Sequence, residues 1–486
     1  MTDTDPHDSP LQRRSQPPPI FKSRLFNDDN SEYLVNIRIG TPPQNFTVAL
    51  DTGSADVWVP SIECDKIQCP LNRFDPSKSK TFEKTRHPFA IKYGIGKANG
   101  TYARDTMTIG KLKVAKQPFG LAKSTEQIIT VPNTMTNKPK EEQVFPNGIL
   151  GLGYPELSSS AVKAAHEPFI VSLAKKGVIR EPVFSVHMNS MFHSGWSGEL
   201  ILGGVDEEKY TGMIQYLPVA KIKKKGHKNG AYAYWMVYGR SLHIADDDAI
   251  IFNAPFNKTR GVIIDTGTTL SYMDQALAEQ IVLSVAGQDQ VLLDETTGVF
   301  LVPCHLRQSP LELDLEFSTT YRASGPPVRL RLSVSNLVIP LNASANTLSD
   351  QCMFGIAPWL QTKQSSVLGS KGMILLGDSI LRSTYLIFDA GRNRIGFASA
   401  QTPLRSVITG PKLPCEQSRN KESTSGAGTQ SSQRASSSHR PQQPHRSHRP
   451  NQSSQGSGAE RVLWIHGLRK TGIITVMALS LSVRFM

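Results

Sequence analysis

Apolar and polar residues alternate along Tyr33-Leu34-Val35-Asn36-Ile37-Arg38-Ile39-Gly40, and Thr41-Pro42-Pro43 then marks a turn. Alternation of this kind, or a short apolar run bounded by Gly, Pro or Asp, recurs at Phe89–Gly96, Gly148–Tyr154, Phe184–Met188, Glu199–Gly204, Tyr234–Val237, Met373–Leu376, Tyr385–Asp389 and Arg394–Ala398. These stretches predict β-strands. Helical spacing is confined to Phe169–Lys176, stopped by Gly177, and to Asp274–Ile281, where Asp274 is placed as an N-cap. The pattern is that of an all-β, mainly antiparallel protein with a few short helices.

Two of these apolar runs end on an acid. Val48-Ala49-Leu50 leads to Asp51-Thr52-Gly53-Ser54, and Val262-Ile263-Ile264 leads to Asp265-Thr266-Gly267-Thr268. Each run delivers a carboxylate to a glycine turn followed by a hydroxyl residue. One such tripeptide arises by chance, but two in matching strand contexts point to a duplicated half whose acids meet on a pseudo-two-fold axis. Carboxylates forced together cannot both ionise cheaply, so one retains its proton and the pair titrates as a unit. Such a pair can take a proton from a water and return one to a leaving group. The plainer alternative is that Asp51 and Asp265 merely cap two turns.

The chain has 486 residues, enough for two lobes and tails. Its formal charge of +13 raises the question of a polyanionic partner. From residue 404 onward twelve Lys and Arg face three Asp and Glu, so nine of these charges belong to the tail and nucleic-acid binding is not expected. The run Lys221–Lys228 reads as a solvated loop. Neither Cys-x-x-Cys nor His-Glu-x-x-His occurs, so no metal or other cofactor is expected. Cysteines stand at 64, 69, 304, 352 and 415, and the residues alone leave their pairing open. Sequons at Asn45, Asn99, Asn257, Asn342 and Asn451 are glycosylation candidates and fit an oxidising, secretory environment.

With Asp51-Thr52-Gly53-Ser54, Asp265-Thr266-Gly267-Thr268, Tyr93-Gly94-Ile95-Gly96 and Leu375-Leu376-Gly377-Asp378, the sequence resembles the pepsin-like family of aspartic proteases over about residues 31 to 402. Within that family it is most similar to the fungal cathepsin D-like branch. The resemblance implies a bilobal fold and an endopeptidase that cuts peptide bonds at acid pH, with protein and peptide substrates and a monomeric chain. It implies disulfides Cys64–Cys69 and Cys304–Cys352. It makes Asp51 and Asp265 the catalytic acids, supported by Thr52, Gly53, Ser54, Thr266, Gly267 and Thr268. Tyr93 and Gly94 belong to a flap over the substrate, Trp58 supports Tyr93, and Tyr93 should touch substrate rather than core. The competing function is an inert peptide- or protein-binding protein of the same fold, but the residues such relatives lose are all present here.

The organisation that follows is a terminus at 1–30, either pro-segment remnant or disordered. Lobes at 31–212 and 213–403 come next, then a Ser-, Arg- and His-rich stalk at 404–459 and a terminal segment at 460–486. No apolar signal sequence opens the chain. Gly472–Val483 is apolar but shorter than the roughly 20 residues of a spanning helix. It fits the removable tail of a glycolipid (GPI) anchor signal, with Gly456, Ser457 and Gly458 as attachment candidates. The expected location is outside the cell, free or anchored at the membrane or wall.

Overall fold

The computed structural model describes residues 20–28, 31–94, 96–129, 144–159, 167–191, 193, 195–224, 227–341, 351–359, 372–402 and 406–411. Asn342, Asn451, Gly456, Ser457, Gly458, Cys415 and the expected anchor segment lie outside these residues. So does most of the expected stalk.

The two acid-bearing strands sit in two separate sheets. A thirteen-stranded sheet carries Gln44–Asp51, and an eight-stranded sheet carries Ala249–Ile264. In both, the strand that ends at the acid pairs in parallel with a short apolar strand from later in the same half. Ala49, Leu50 and Asp51 face Ile149, Leu150 and Gly151; Val262, Ile263 and Ile264 face Ile374, Leu375 and Leu376. Such central strands are buried on both faces, which is why they read as unbroken apolar runs rather than alternating ones. Most other pairings are antiparallel. The architecture is thus mainly β, with the two-lobed arrangement expected.

Local signals acted as written at several points. Phe169–Lys175 is a helix with Phe169, Ile170 and Leu173 buried. Gln275–Ala286 is a helix whose N-cap is Asp274, its carboxylate accepting from Leu277 N at 3.1 Å.

Four boundaries differ from the expectation. Phe21–Asp28 is a strand, paired with Gly195–Leu202 and Glu32–Ile39, so residues 21–28 are not a disordered terminus. Lys22 and Arg24 are exposed, while Leu25 and Asn27 are fully buried, Asn27 Nδ2 donating to His193 O at 3.1 Å. The lobe boundary drawn at 212/213 falls inside the strand Tyr210–Pro218. That strand pairs with Arg394–Ala400, which lies in the thirteen-stranded sheet beside Thr384–Asp389 and Val183–His187. Late residues thus complete the sheet of the first half. The stalk drawn from 404 starts too early, because Val407–Thr409 pairs with Val328–Ser333 and Ser406 is buried against Ser383 and Thr384. The lysine run is not a plain loop: Ile222–Lys224 and His227–Ala231 form an antiparallel hairpin.

Candidate active site

Each acid is held by its own turn. Asp51 Oδ1 accepts from Gly53 N at 2.7 Å and its Oδ2 from the Ser54 hydroxyl. Asp265 Oδ1 accepts from Gly267 N at 3.0 Å and its Oδ2 from Thr268 Oγ1 at 2.8 Å. At the second turn glycine is required for space. A Cβ on Gly267 would stand 2.5 Å from Asp51 Oδ1, so the second turn presses directly on the first acid.

The turns are also tied across the axis. Thr52 Oγ1 donates to Ile264 O at 2.9 Å and accepts from Thr266 N at 3.0 Å, and Thr266 Oγ1 donates to Leu50 O at 3.3 Å. Thr52 and Thr266 are fully buried, so each bond replaces water that cannot enter. This lattice fixes two acids that would otherwise separate to relieve their repulsion.

Both carboxyls are wholly buried. Burial pushes the Asp51 carboxyl well up, and the neighbouring Asp265 charge pushes it further; the Ser54 and Gly53 donors oppose this. The two acids therefore titrate as a pair that retains one proton.

Over Asp51 lies the hairpin of Glu83–Lys92 and Lys97–Ile109. Tyr93 sits at its end, its hydroxyl accepting from Trp58 Nε1 at 2.8 Å. Tyr93 is fully buried among Trp58, Phe89, Ile91 and Ala122, so the expectation that it touches substrate rather than core is not what this conformation shows. A phenol has an apolar body and a polar tip, and here both are satisfied internally. Burial and the Asp51 charge hold its proton firmly. Gly94 is exposed, and Ile95 lies outside the described residues.

Cys64–Cys69 and Cys304–Cys352 form disulfides. Asn45 and Asn257 are exposed and Asn99 partly so. Among the described residues no cluster of His, Cys, Asp and Glu is arranged to hold a metal ion. A cavity of about 320 Å³ opens elsewhere, bordered by Arg180, Tyr216, Asp389 and Arg392; its lining contains neither acid, and Arg392 and Arg394 bind Asp389 at 3.3 and 2.8 Å.

The eukaryotic aspartyl protease family model matches residues 32–400. The chain belongs to that family. It is 33% identical over 378 residues to gastricsin of Cavia porcellus, covering 76% of this chain and 81% of the relative. To vacuolar protease A of Aspergillus fumigatus it is 31% identical over 375 residues (76% and 80%), and to mucorpepsin of Rhizomucor pusillus 30% over 383 residues (77% and 80%). The chain is thus an aspartic-type peptide hydrolase by descent.

Sequence reasoning missed several groups around this aspartyl protease site. Asp56 is a buried acid that accepts from Tyr102 Oη at 2.8 Å, Ser158 Oγ at 3.0 Å and Ser159 N at 2.7 Å. Its place inside Ala55–Pro60, an otherwise apolar stretch, was the available signal. Asp378 and Glu32 are buried near the second acid: both carboxylate oxygens of Asp378, and Oε2 of Glu32, have no hydrogen-bond partner among the described residues. Burial pushes both carboxyls well up, and Asp378 also feels the charges of Arg382, Asp265 and Glu32.

Proposed function

We propose that this chain is an active endopeptidase in which Asp51 and Asp265 share one proton and activate a water. The observation that supports this most is the contact between the two turns, with Gly267 against the Asp51 carboxyl and mirrored donors on each acid. Asp265, ionised, takes a proton from the water as it attacks the scissile carbonyl. Asp51, protonated, donates a hydrogen bond to the developing oxyanion. The proton then passes to the amine nitrogen and the peptide bond breaks, with no covalent acyl-enzyme and no cofactor. Ser54 and Thr268 keep the carboxylate oxygens aimed, and the hairpin carrying Tyr93 and Gly94 closes over the substrate to exclude bulk water.

The substrates are proteins and peptides with apolar side chains flanking the cut, and the enzyme works as a monomer in acid. We place it in the fungal cathepsin D-like branch, secreted and held at the cell surface by a glycolipid attached near Gly456, Ser457 or Gly458. The apolar 472–483 segment and the small residues before it support the anchor.

Digestion of an acid-denatured protein at pH 3–5 tests the activity. Cleavage blocked by a statine-type peptide inhibitor is expected; intact substrate at every acid pH would leave only a binding protein. Release from intact cells by a phosphatidylinositol-specific phospholipase tests the anchor, which a secreted chain still ending at Met486 would rule out.

A further inference from the structure

Five lysines fall between 221 and 228, and no Asp or Glu occurs from Val219 to Trp235. Lys221, Lys223 and Lys228 are exposed on the hairpin Ile222–Lys224/His227–Ala231. Elsewhere on this surface lysines meet carboxylates: Lys97 with Glu126, Lys116 with Glu83, Lys123 with Glu63 and Lys209 with Glu199. Among the described residues no carboxylate stands within ion-pair distance of Lys221, Lys223 or Lys228. The Lys221 ammonium instead lies 4.9 Å from the centre of the Tyr232 ring. Lys221, Lys223 and Lys228 are therefore three exposed positive charges with no carboxylate partner among the described residues.

Its root lies at the acid pair. Ala220, Ala233 and Tyr234 are buried in one cluster with Ala55, next to Ser54, and with Leu270, two residues after Thr268; Ile222 packs against it. Tyr234 is close enough to Asp265 for that charge to act on its hydroxyl. Trp235 Nε1 donates to Leu152 O at 3.0 Å, and Leu152 N donates to Asp51 O at 2.7 Å. On the other arm, His227 Nε2 lies 3.8 Å from Glu156 Oε1, three residues beyond Gly153, whose N binds Ser54 O at 2.7 Å. The base of the hairpin is thus packed in one buried cluster with residues that flank both acid turns, and its lysines are exposed.

An extended substrate advances about 3.3 Å per residue, and the five-residue arm His227–Ala231 spans roughly 17 Å at the same rise. Lys221, Lys223 and Lys228, on arms rooted beside the acid pair, are therefore within reach of substrate side chains a few positions from the scissile bond. Charged rims of this kind steer partners and set preference more than they add affinity.

We propose that Lys221, Lys223 and Lys228, on the two described arms of this hairpin, form a specificity element that favours substrates carrying Asp or Glu about three to five residues from the cleaved bond on a single side. This rests on the proposed endopeptidase reading for its cleavage measurements but not for its binding ones. Because those carboxyls titrate near pH 4, the preference grows as pH rises from about 3 to 5.5. Salt weakens it, since the lysines are exposed.

The test uses the full-length protein and quenched peptides with one apolar cleavage site, in which Asp, Asn or Lys is scanned across the flanking positions. Cleavage is read as kcat/KM and binding by fluorescence anisotropy, for the wild type and for K221E/K223E/K228E. The expected result is a roughly 3- to 30-fold advantage of Asp over Lys on one side, greater at pH 5.5 than at pH 3 and reversed in the variant. Peptides with neutral flanks should be cut equally by both proteins, which shows the variant is folded. Equal preference on both sides, or a preference unchanged in the variant, overturns the proposal. If nothing is cleaved but anisotropy shows acidic peptides bound more tightly by the wild type than by the variant, the endopeptidase reading fails and the hairpin reading stands. Cleavage without charge preference has the opposite meaning.

Discussion

The two acid turns are nearly the same object in different surroundings. Each ends a buried strand paired in parallel with a later one, and each gives its carboxylate one backbone and one hydroxyl donor. Beyond that they diverge. The first turn lies under Tyr93 and Trp58, and its neighbouring buried acid, Asp56, is held by Tyr102, Ser158 and Ser159. Near the second turn the buried acid is Asp378, with no hydrogen bond to either oxygen. The turn geometry is thus set locally by Asp-Thr-Gly, whereas the electrostatics of each acid come from what the rest of its half packs around it. Two acids in equivalent turns need not be equivalent groups.

The strongest way to break this comparison is to remove the acids singly. Asp51→Asn and Asp265→Asn should each lower kcat by about 10²- to 10⁴-fold while leaving the circular dichroism spectrum unchanged, because neither acid can both take and give the proton. Near-normal turnover in either variant would end the two-carboxylate mechanism.

Next in size is Gly267→Ala. Its methyl would meet the Asp51 carboxyl at 2.5 Å, so the second turn must withdraw from the first acid. Displacement of about 1 Å at a catalytic group is worth roughly 10²-fold in rate. An alanine variant with wild-type kcat would mean that the two turns are not in contact in solution.

The sequence made the turns legible because their signal is local: an apolar run, an acid, a glycine. Asp274 was legible for the same reason, its cap partner Leu277 being three residues away. What could not be read depends on partners far along the chain. Phe21–Asp28 is a strand because Gly195–Leu202 lies beside it, and Arg394–Ala400 joins the first half because Tyr210–Pro218 crosses to it. Tyr93 follows directly on the strand Glu83–Lys92, but its burial depends also on Trp58 and Ala122, which approach from other strands. Asp378 stood in view inside Leu375–Asp378, yet nothing in that motif tells that its oxygens go without donors.

The surroundings of the second turn make a pH prediction. Asp378 and Glu32 have carboxyls raised by burial, so the folded protein holds their protons more tightly than the unfolded chain does. Their contribution to stability is fully present below the ordinary carboxylate range and is lost as pH rises through their raised values. His187 acts on the other flank: burial lowers it to about 4, so its contribution is present above the ordinary histidine value and lost as pH falls through about 4. Urea midpoints should therefore peak in mild acid and fall towards neutrality. Asp378→Asn should flatten that fall, leaving the variant about 1–3 kcal/mol more stable than wild type at pH 7. An unchanged alkaline slope would show that Asp378 does not carry it.

The smallest effect sharpens the comparison most. Ser54→Ala and Thr268→Val each delete one hydroxyl donor from one acid, and each should lower kcat by about 10-fold or less. A donor to a carboxylate favours its ionised form, so its loss raises the pKa of the acid it served. With Asp265 as the base and Asp51 as the proton donor, as proposed above, the high-pH limb of the rate profile belongs to Asp51 and the low-pH limb to Asp265. Thr268→Val should then move the low-pH limb upward and leave the high-pH limb nearly in place. Ser54→Ala should move the high-pH limb upward and spare the low one. Profiles of kcat/KM against pH for the two variants decide between this assignment and its mirror image. If Ser54→Ala moves the low-pH limb instead, Asp51 is the acid that ionises first, and the base and the proton donor exchange places between the two halves.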